Sequence, residues 1–218
     1  MRDASGVNDW RTWHESYDDP ASSLARRLQV VRRRLDEVLD LVASPAPRLL
    51  ALCAGDARDV IPVLAARADG GQVDAVLVEF DEDLATRAAN AADSAGLERV
   101  VVRHGDAGDP ASFGDVVPVH VLMLCGIFGN VDHATVADIA RAVPTMVFPG
   151  GYVIWTRGGG RPVDRRPEVR HWFIEAGMPE VSFDGEPEPY GVGVKVVGDL
   201  QCTMPEGRLF TFRIAGCS

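Results

Sequence analysis

From residue 48 onward, short apolar runs alternate with alanine-rich stretches of helical length, and few folds accept that alternation. The runs at 49–53, 75–80, 100–104, 119–125 and 152–156 are rich in Val, Leu and Ile, and the stretches at 60–68, 82–95 and 134–143 lie between them. Strands that are apolar along their whole length are buried on both faces, which predicts an α/β fold with helices covering both sides of a mostly parallel sheet. Right-handed crossovers make that sheet doubly wound. Farther along, 167–178 reads as a helix ending near Gly177. Residues 190–198 and 208–214 read as strands joined by a turn around Pro205, Glu206 and Gly207, with the proline- and acid-rich 185–189 as a loop. Strands joined that tightly are antiparallel, so the sheet is expected to finish in a C-terminal hairpin at one edge.

Residues 1–47 have a different character and read as an N-terminal helical cap or lid segment before a main domain at 48–218. Leu24, Leu28, Val31, Leu35, Val38, Leu39 and Val42 form one helical face, with Ser22 or Ser23 as cap. Upstream, Trp10, Trp13, His14 and Tyr17 cluster within "WRTWHESY". The formal charge of −10 opposes a protein that tracks nucleic acid, because neutralising phosphates needs clustered cations. Arg32, Arg33 and Arg34 are followed by Asp36 and Glu37, so that run reads as a solvated helix face. Cys53, Cys125, Cys202 and Cys217 are far apart and lack metal-ligand spacing, so no metal is expected. No membrane-length apolar segment and no leader-like opening is present, and a reduced cytoplasmic protein is the expectation.

The chemistry is concentrated at the ends of the predicted strands. In "LLALCAGDARDV" (49–60) an apolar strand, a turn and a helix follow one another, the arrangement that binds nucleotides in open α/β sheets, although Gly55 is its single glycine. Glu79 lies inside an apolar strand, 24 residues after Gly55, where a carboxylate can take charge-assisted hydrogen bonds from ribose hydroxyls. Asp81, Glu82 and Asp83 have a simpler use as helix caps, and Asp132 likewise caps the helix beginning at Ala134. Asp106 follows a turn glycine at a strand end, placed to accept from an adenine amino group. Cys125 and Gly126 are small residues that let a ligand lie against backbone, and Pro149-Gly150-Gly151 precedes the fifth strand. A nicotinamide-dependent oxidoreductase would want Gly-x-Gly-x-x-Gly, which this loop does not supply.

In this order and spacing, over about residues 48–196, the chain resembles the class I S-adenosylmethionine-dependent methyltransferases. Their first motif, Asp-x-Gly-x-Gly-x-Gly, aligns with Ala51 at the acidic position and with Cys53, Gly55 and Ala57 at the glycines. The resemblance implies seven strands with an antiparallel last pair, S-adenosyl-L-methionine as cofactor, and cofactor contacts from Tyr17, Leu52, Cys53, Ala54, Gly55, Glu79, Phe80, Asp106, Ala107, Cys125, Gly126 and Ile127. With two glycines gone, the loop is expected to adopt ordinary dihedrals, and Cys53 and Cys125 flanking the cofactor would confer some thiol sensitivity. In relatives an N-terminal segment closes over the cofactor. By that likeness Trp10 and Trp13 shape the substrate pocket and His14 is the catalytic base. His133, just after the fourth strand on the ligand-facing edge, is its rival, and Arg157, after the fifth strand beside a glycine-rich loop, either meets a substrate carboxylate or is simply solvated. The Asn/Asp-Pro-Pro-Tyr/Phe motif of nucleic-acid and protein-glutamine nitrogen methylation is replaced by "CGIFGNV". The expectation is methyl transfer to an oxygen or nitrogen of a small molecule, with no nucleic-acid or membrane partner and a homodimer left open. The alternative is a non-catalytic methyltransferase-like binding protein.

Overall fold

A computed structural model describes residues 17–159, 163–199 and 207–212. The described elements are α1 (Ser23–Leu41), β1 (Arg48–Leu52), α2 (Ile61–Ala66), β2 (Asp74–Glu79), α3 (Glu82–Ser94) and β3 (Val100–His104), followed by β4 (Val119–Leu124), α4 (His133–Met146), β5 (Val147–Gly158), α5 (Arg166–Glu175), β6 (Glu180–Asp184) and β7 (Tyr190–Val196). The strands form one seven-stranded sheet in the order β3-β2-β1-β4-β5-β7-β6. The β3-β2-β1-β4-β5 neighbours pair in parallel, and β7 runs antiparallel to both β5 and β6. The expected fold class is therefore present. The C-terminal hairpin, however, is formed by β6 and β7, with 185–189 as its turn, and 207–212 contains no strand. The 208–214 run alternates like a strand, but the edge beside β7 is already taken by 180–184, whose partly exposed residues carry a weaker apolar signal.

Side-chain alternation along the strands divides the core into two layers. Leu50 and Leu52 of β1, Leu122 and Leu124 of β4, and Val153 and Trp155 of β5 face α4 and α5. Leu49, Ala51, Val121, Met123 and Ile154 face the opposite layer, which is closed by α1, α2 and α3. Leu28, Val31, Leu35, Val38 and Leu39 of α1 are buried, and Ser22 caps that helix by accepting from Ala25 N at 2.9 Å. The arginine run on α1 is not a solvated face. Arg34 donates to Asp184 at 2.7 and 3.0 Å, Arg33 to the same carboxylate at 2.9 Å, and Arg32 to the Arg58 carbonyl at 2.7 Å, tying α1 to the sheet edge and to the loop after β1.

Pro149, Gly150 and Gly151 lie within β5 near its start, not before it. Gly150 has φ +78°, its N–H donates to Val197 O, and Val197 N donates to Gly151 O, both at 2.8 Å. A Cβ on Gly151 would come 2.8 Å from His120 O. This glycine pair shapes the amino end of β5, the end remote from Thr156.

Trp155 is fully buried between Phe173 and Phe183, with ring centroids 5.8 and 5.9 Å away. Gly193 lies opposite it on β7, and a Cβ there would sit 2.3 Å from the indole. Gly193→Ala should therefore lose about 1–3 kcal/mol through overpacking. Urea denaturation followed by circular dichroism checks this, and an unchanged midpoint would show that Trp155 has room to move.

Candidate functional site

The loop after β1 runs in left-handed steps. Cys53, Gly55 and Ala57 have φ of 59°, 60° and 55°. The ordinary dihedrals expected after loss of two glycines are not adopted. The chain keeps a glycine-type path with Cβ atoms at two of its three left-handed positions, at a cost of roughly 1–2 kcal/mol each. Surrounding bonds enforce the path. Ala54 N donates to Val78 O at 3.0 Å, Ala57 N to Ala54 O at 2.9 Å, and Ile61 N to Ala57 O at 3.0 Å. Ala57 is fully buried, which leaves the loop little alternative.

Glu79, at the end of β2, binds this loop directly. Its Oε2 accepts from Gly55 N at 2.7 Å and its Oε1 from Asp81 N at 2.8 Å. The residue is 9 % exposed, and each oxygen retains lone-pair capacity beyond the bond it makes. Asp81 then caps α3, accepting from Asp83 N and Leu84 N. Phe80, between them, is 71 % exposed, an aromatic face beside the carboxylate.

The other predicted cofactor residues fall into distinct groups. Leu52, Ala107 and Ile127 have side chains buried in the α4/α5 core layer, so they offer backbone to a ligand. Asp106 is partly engaged: Oδ1 accepts from Gly108 N at 2.8 Å and Oδ2 pairs with Arg208 at 2.5 Å. Gly126, with φ +81°, has open space where a Cβ would be, its N–H donates to Thr156 Oγ1 at 3.0 Å, and its carbonyl accepts from Asn130. Burial pushes the Cys53 and Cys125 thiols up, leaving little thiolate for alkylation at neutral pH. The expected thiol sensitivity is therefore opposed by the environment of both sulfurs.

Tyr17 is brought to the same edge. The Arg58 guanidinium lies 5.1 Å from its ring centroid, and its hydroxyl accepts from Arg27 at 2.9 Å. Burial raises its phenol above the usual range. Arg58 also binds Asp56 and reaches Asp18 at 3.2 Å, strapping the segment before α1 onto the β1–α2 loop. Trp10, Trp13 and His14 lie outside the described residues.

His133 is drawn elsewhere. Its Nε2 pairs with Glu168 and lies 3.1 Å from Arg165, and its ring is 4.5 Å from that of Trp172. These partners belong to or adjoin α5, so the structure brings His133 to an α4–α5 contact and not to the β1–α2 loop. Asp132 caps α4 as expected. Arg157 lies within β5, opposite Gly191, with its Nη1 buried, so it is not the solvated arginine its glycine-rich surroundings suggest.

One residue of this edge escaped the sequence reading. Asp59 reaches solvent with part of its surface, yet its Oδ1 is buried and accepts no hydrogen bond from the described residues. Burial, reinforced by Asp56 and opposed by its own backbone N–H and by Arg27 and Arg32, pushes its carboxyl up to about 6. The signal was a second acid in "GDARD", but periodicity alone makes it look like the entry to α2. The helix begins at Ile61 with Val60 as its cap position and no side-chain cap bond, so Asp59 is not a helix cap.

No family model matches the chain, and no curated protein matches it. Solved structures do match. A possible exported protein from Bordetella parapertussis superposes with TM-score 0.64 at 15% identity, over 79% of this chain and 67% of that one. An RNA methyltransferase from Salinibacter ruber in complex with S-adenosyl-L-homocysteine gives 0.54 at 20% identity, over 82% and 95%. An O-methyltransferase family 2 protein from Planctomyces limnophilus in complex with apigenin gives 0.60 at 17% identity, over 80% of this chain but 59% of that one. Several of the O-methyltransferases thus extend well beyond the matched region. With the strand order and the antiparallel β7, these likenesses establish the fold as that of the class I S-adenosylmethionine-dependent methyltransferases.

The pH dependence of Asp59 follows from its environment. The unfolded chain releases this proton near 3.8 and the folded chain holds it to about 6, so across that window the folded state binds more protons and stability falls as pH rises. Asp59→Asn should therefore stabilise the protein at neutral pH by on the order of 2 kcal/mol, the gain vanishing toward the ordinary carboxylate range. Thermal denaturation of both proteins across that range checks the sign.

Proposed function

We propose that the protein transfers a methyl group from S-adenosyl-L-methionine to an oxygen or nitrogen of a small molecule. The observation that carries this reading is the left-handed loop at 53–57 bound through Gly55 N to the Glu79 carboxylate, at the carboxyl edge where β1 and β4 meet. In doubly wound sheets that crevice is where nucleotide ligands bind. The residues present fit the cofactor. Glu79 retains acceptor capacity for ribose hydroxyls, exposed Phe80 offers a stacking face, Gly126 leaves open space beside backbone, and the buried Oδ1 of Asp59 awaits a donor.

When bound, S-adenosylmethionine supplies a methyl group activated on a sulfonium, so the protein's main tasks are positioning and exclusion of water. Glu79 orients the nucleoside while holding the loop. Cys53 and Cys125, small and partly buried with their thiols held protonated, would lie beside the ligand at the ends of β1 and β4. Tyr17, held by Arg27 and Arg58, covers the loop from the N-terminal side. A proton leaving the acceptor falls to His14 by its place in the sequence, since Nε2 of His133 is committed to Glu168 and Arg165 and its Nδ1 is buried. The net charge of −10 favours a small acceptor over a polyanion, and a cytoplasmic setting suits the free, partly buried thiols of Cys53 and Cys125.

Calorimetric titration with S-adenosylmethionine and S-adenosylhomocysteine should give binding at micromolar ligand. Glu79→Gln, which keeps one acceptor and loses the charge, should weaken it by about tenfold or more. Absence of binding by the wild type at high micromolar ligand would remove the enzyme reading. Transfer of a labelled methyl from S-adenosylmethionine into a small-molecule fraction, but not into added RNA, would support the acceptor class.

A further inference from the structure

We infer that Asp59 is the anchor for the α-ammonium group at the amino-acid end of the cofactor. The inference rests on the S-adenosylmethionine reading above and assigns a residue to the part of the ligand that Glu79 and Asp106 do not serve. Its first support is the buried Asp59 Oδ1, which accepts no hydrogen bond from the described residues. Buried carboxylate oxygens without a donor are rare in native proteins, and a ligand N–H is the natural donor for one placed in a binding crevice.

The second support is where the carboxylate lies. Cys53, after β1, is influenced by Glu79 and Asp106, whereas Cys125, after β4, is influenced by Asp59 and Arg27. The carboxyl edge therefore carries Glu79 and Asp106 near Cys53, and Asp59 with Arg27 near Cys125. The first pair are carboxylates suited to a nucleoside, and the second joins a carboxylate with a guanidinium. The amino acid of S-adenosylmethionine is a zwitterion, and the second pair offers both signs of charge.

The third support is the face of the sheet involved. Ala51 packs in the layer beneath α1 together with Ala57 and Val60, and Cys125 borders the same layer. Asp59, between Ala57 and Val60 in the chain, brings a carboxylate to that side, where the first strand carries only Ala51. The groups facing Asp59 are Asp56 of the same loop, Arg27 and Arg32 of α1, Tyr17 before it, and Cys125 after β4. An ammonium bound there would favour the ionised carboxylate, so a proton on Asp59 competes with the ligand.

The test compares S-adenosylhomocysteine with 5′-methylthioadenosine, which lacks the amino-acid end, by calorimetry on the wild type and on Asp59→Asn. The variant should bind S-adenosylhomocysteine about tenfold or more weakly and 5′-methylthioadenosine within about twofold of wild type, the second ligand also reporting that the variant is folded. In the wild type alone, lowering pH from about 7.5 to about 5 should weaken S-adenosylhomocysteine about tenfold and leave 5′-methylthioadenosine unchanged, a result independent of how the variant folds. If the wild type binds neither ligand, the cofactor reading itself fails. If both proteins bind S-adenosylhomocysteine equally and its affinity ignores pH, the cofactor reading stands and Asp59 is not the anchor. A variant with normal affinity but no methyl transfer would make Asp59 a base, and would equally overturn the assignment.

Discussion

The carboxylate of Glu79 accepts hydrogen bonds from backbone amides of two different connections, Gly55 N after β1 and Asp81 N before α3, and the carboxyl edge of the sheet is organised around it. A buried carboxylate is costly unless it is bonded, and two backbone N–H groups meet that requirement without a cationic partner. The same bonds hold the β1–α2 loop against the end of β2. Asp81, positioned by Glu79, then caps α3, so one side chain sets the loop, the cap and the entry to the next helix.

That organisation lets the edge carry both strain and unmet polarity. Left-handed Cys53 and Ala57 and the orphaned Oδ1 of Asp59 all lie within seven consecutive residues. Each is unfavourable by itself. They persist because the two core layers on either side of the sheet, with α1 tied down through Arg32 and Arg34, leave the loop nowhere else to go. Strain concentrated beside a crevice is the usual signature of a preorganised site, where a ligand meets groups already in position.

The Asp106 side of the edge is more closed. Arg208 takes one oxygen of Asp106, Leu209 N donates to Gly108 O at 2.8 Å, and Leu209 and Phe210 are buried in the α4/α5 layer. Under the proposed reading, a base at Asp106 would share that carboxylate with Arg208 and lie near a segment from the far end of the chain. This segment does its work as a covering strap, not as a sheet strand.

Strand and helix order, the helical face of α1, and the caps Ser22, Asp81 and Asp132 were legible in the sequence, because apolar periodicity and short-range hydrogen bonds act over a few residues. The order of acids and small residues at strand ends likewise marked the edge where Glu79 and Gly55 meet. Three things were not legible. The hairpin partner of β7 depends on which segment packs along its open edge, and 180–184, which takes it, is less apolar than 208–214. Left-handed dihedrals at Cys53 and Ala57 are imposed by bonds from Glu79 and Val78, which no local preference reveals. The state of Asp59, and the loss of His133 to Glu168, depend on burial and on partners 35 or fewer residues away in sequence but set by the packing of whole helices. Local chemistry determined which elements form. Only tertiary packing, by excluding water and forcing distant groups together, decided which polar atoms are satisfied and which are left for a ligand.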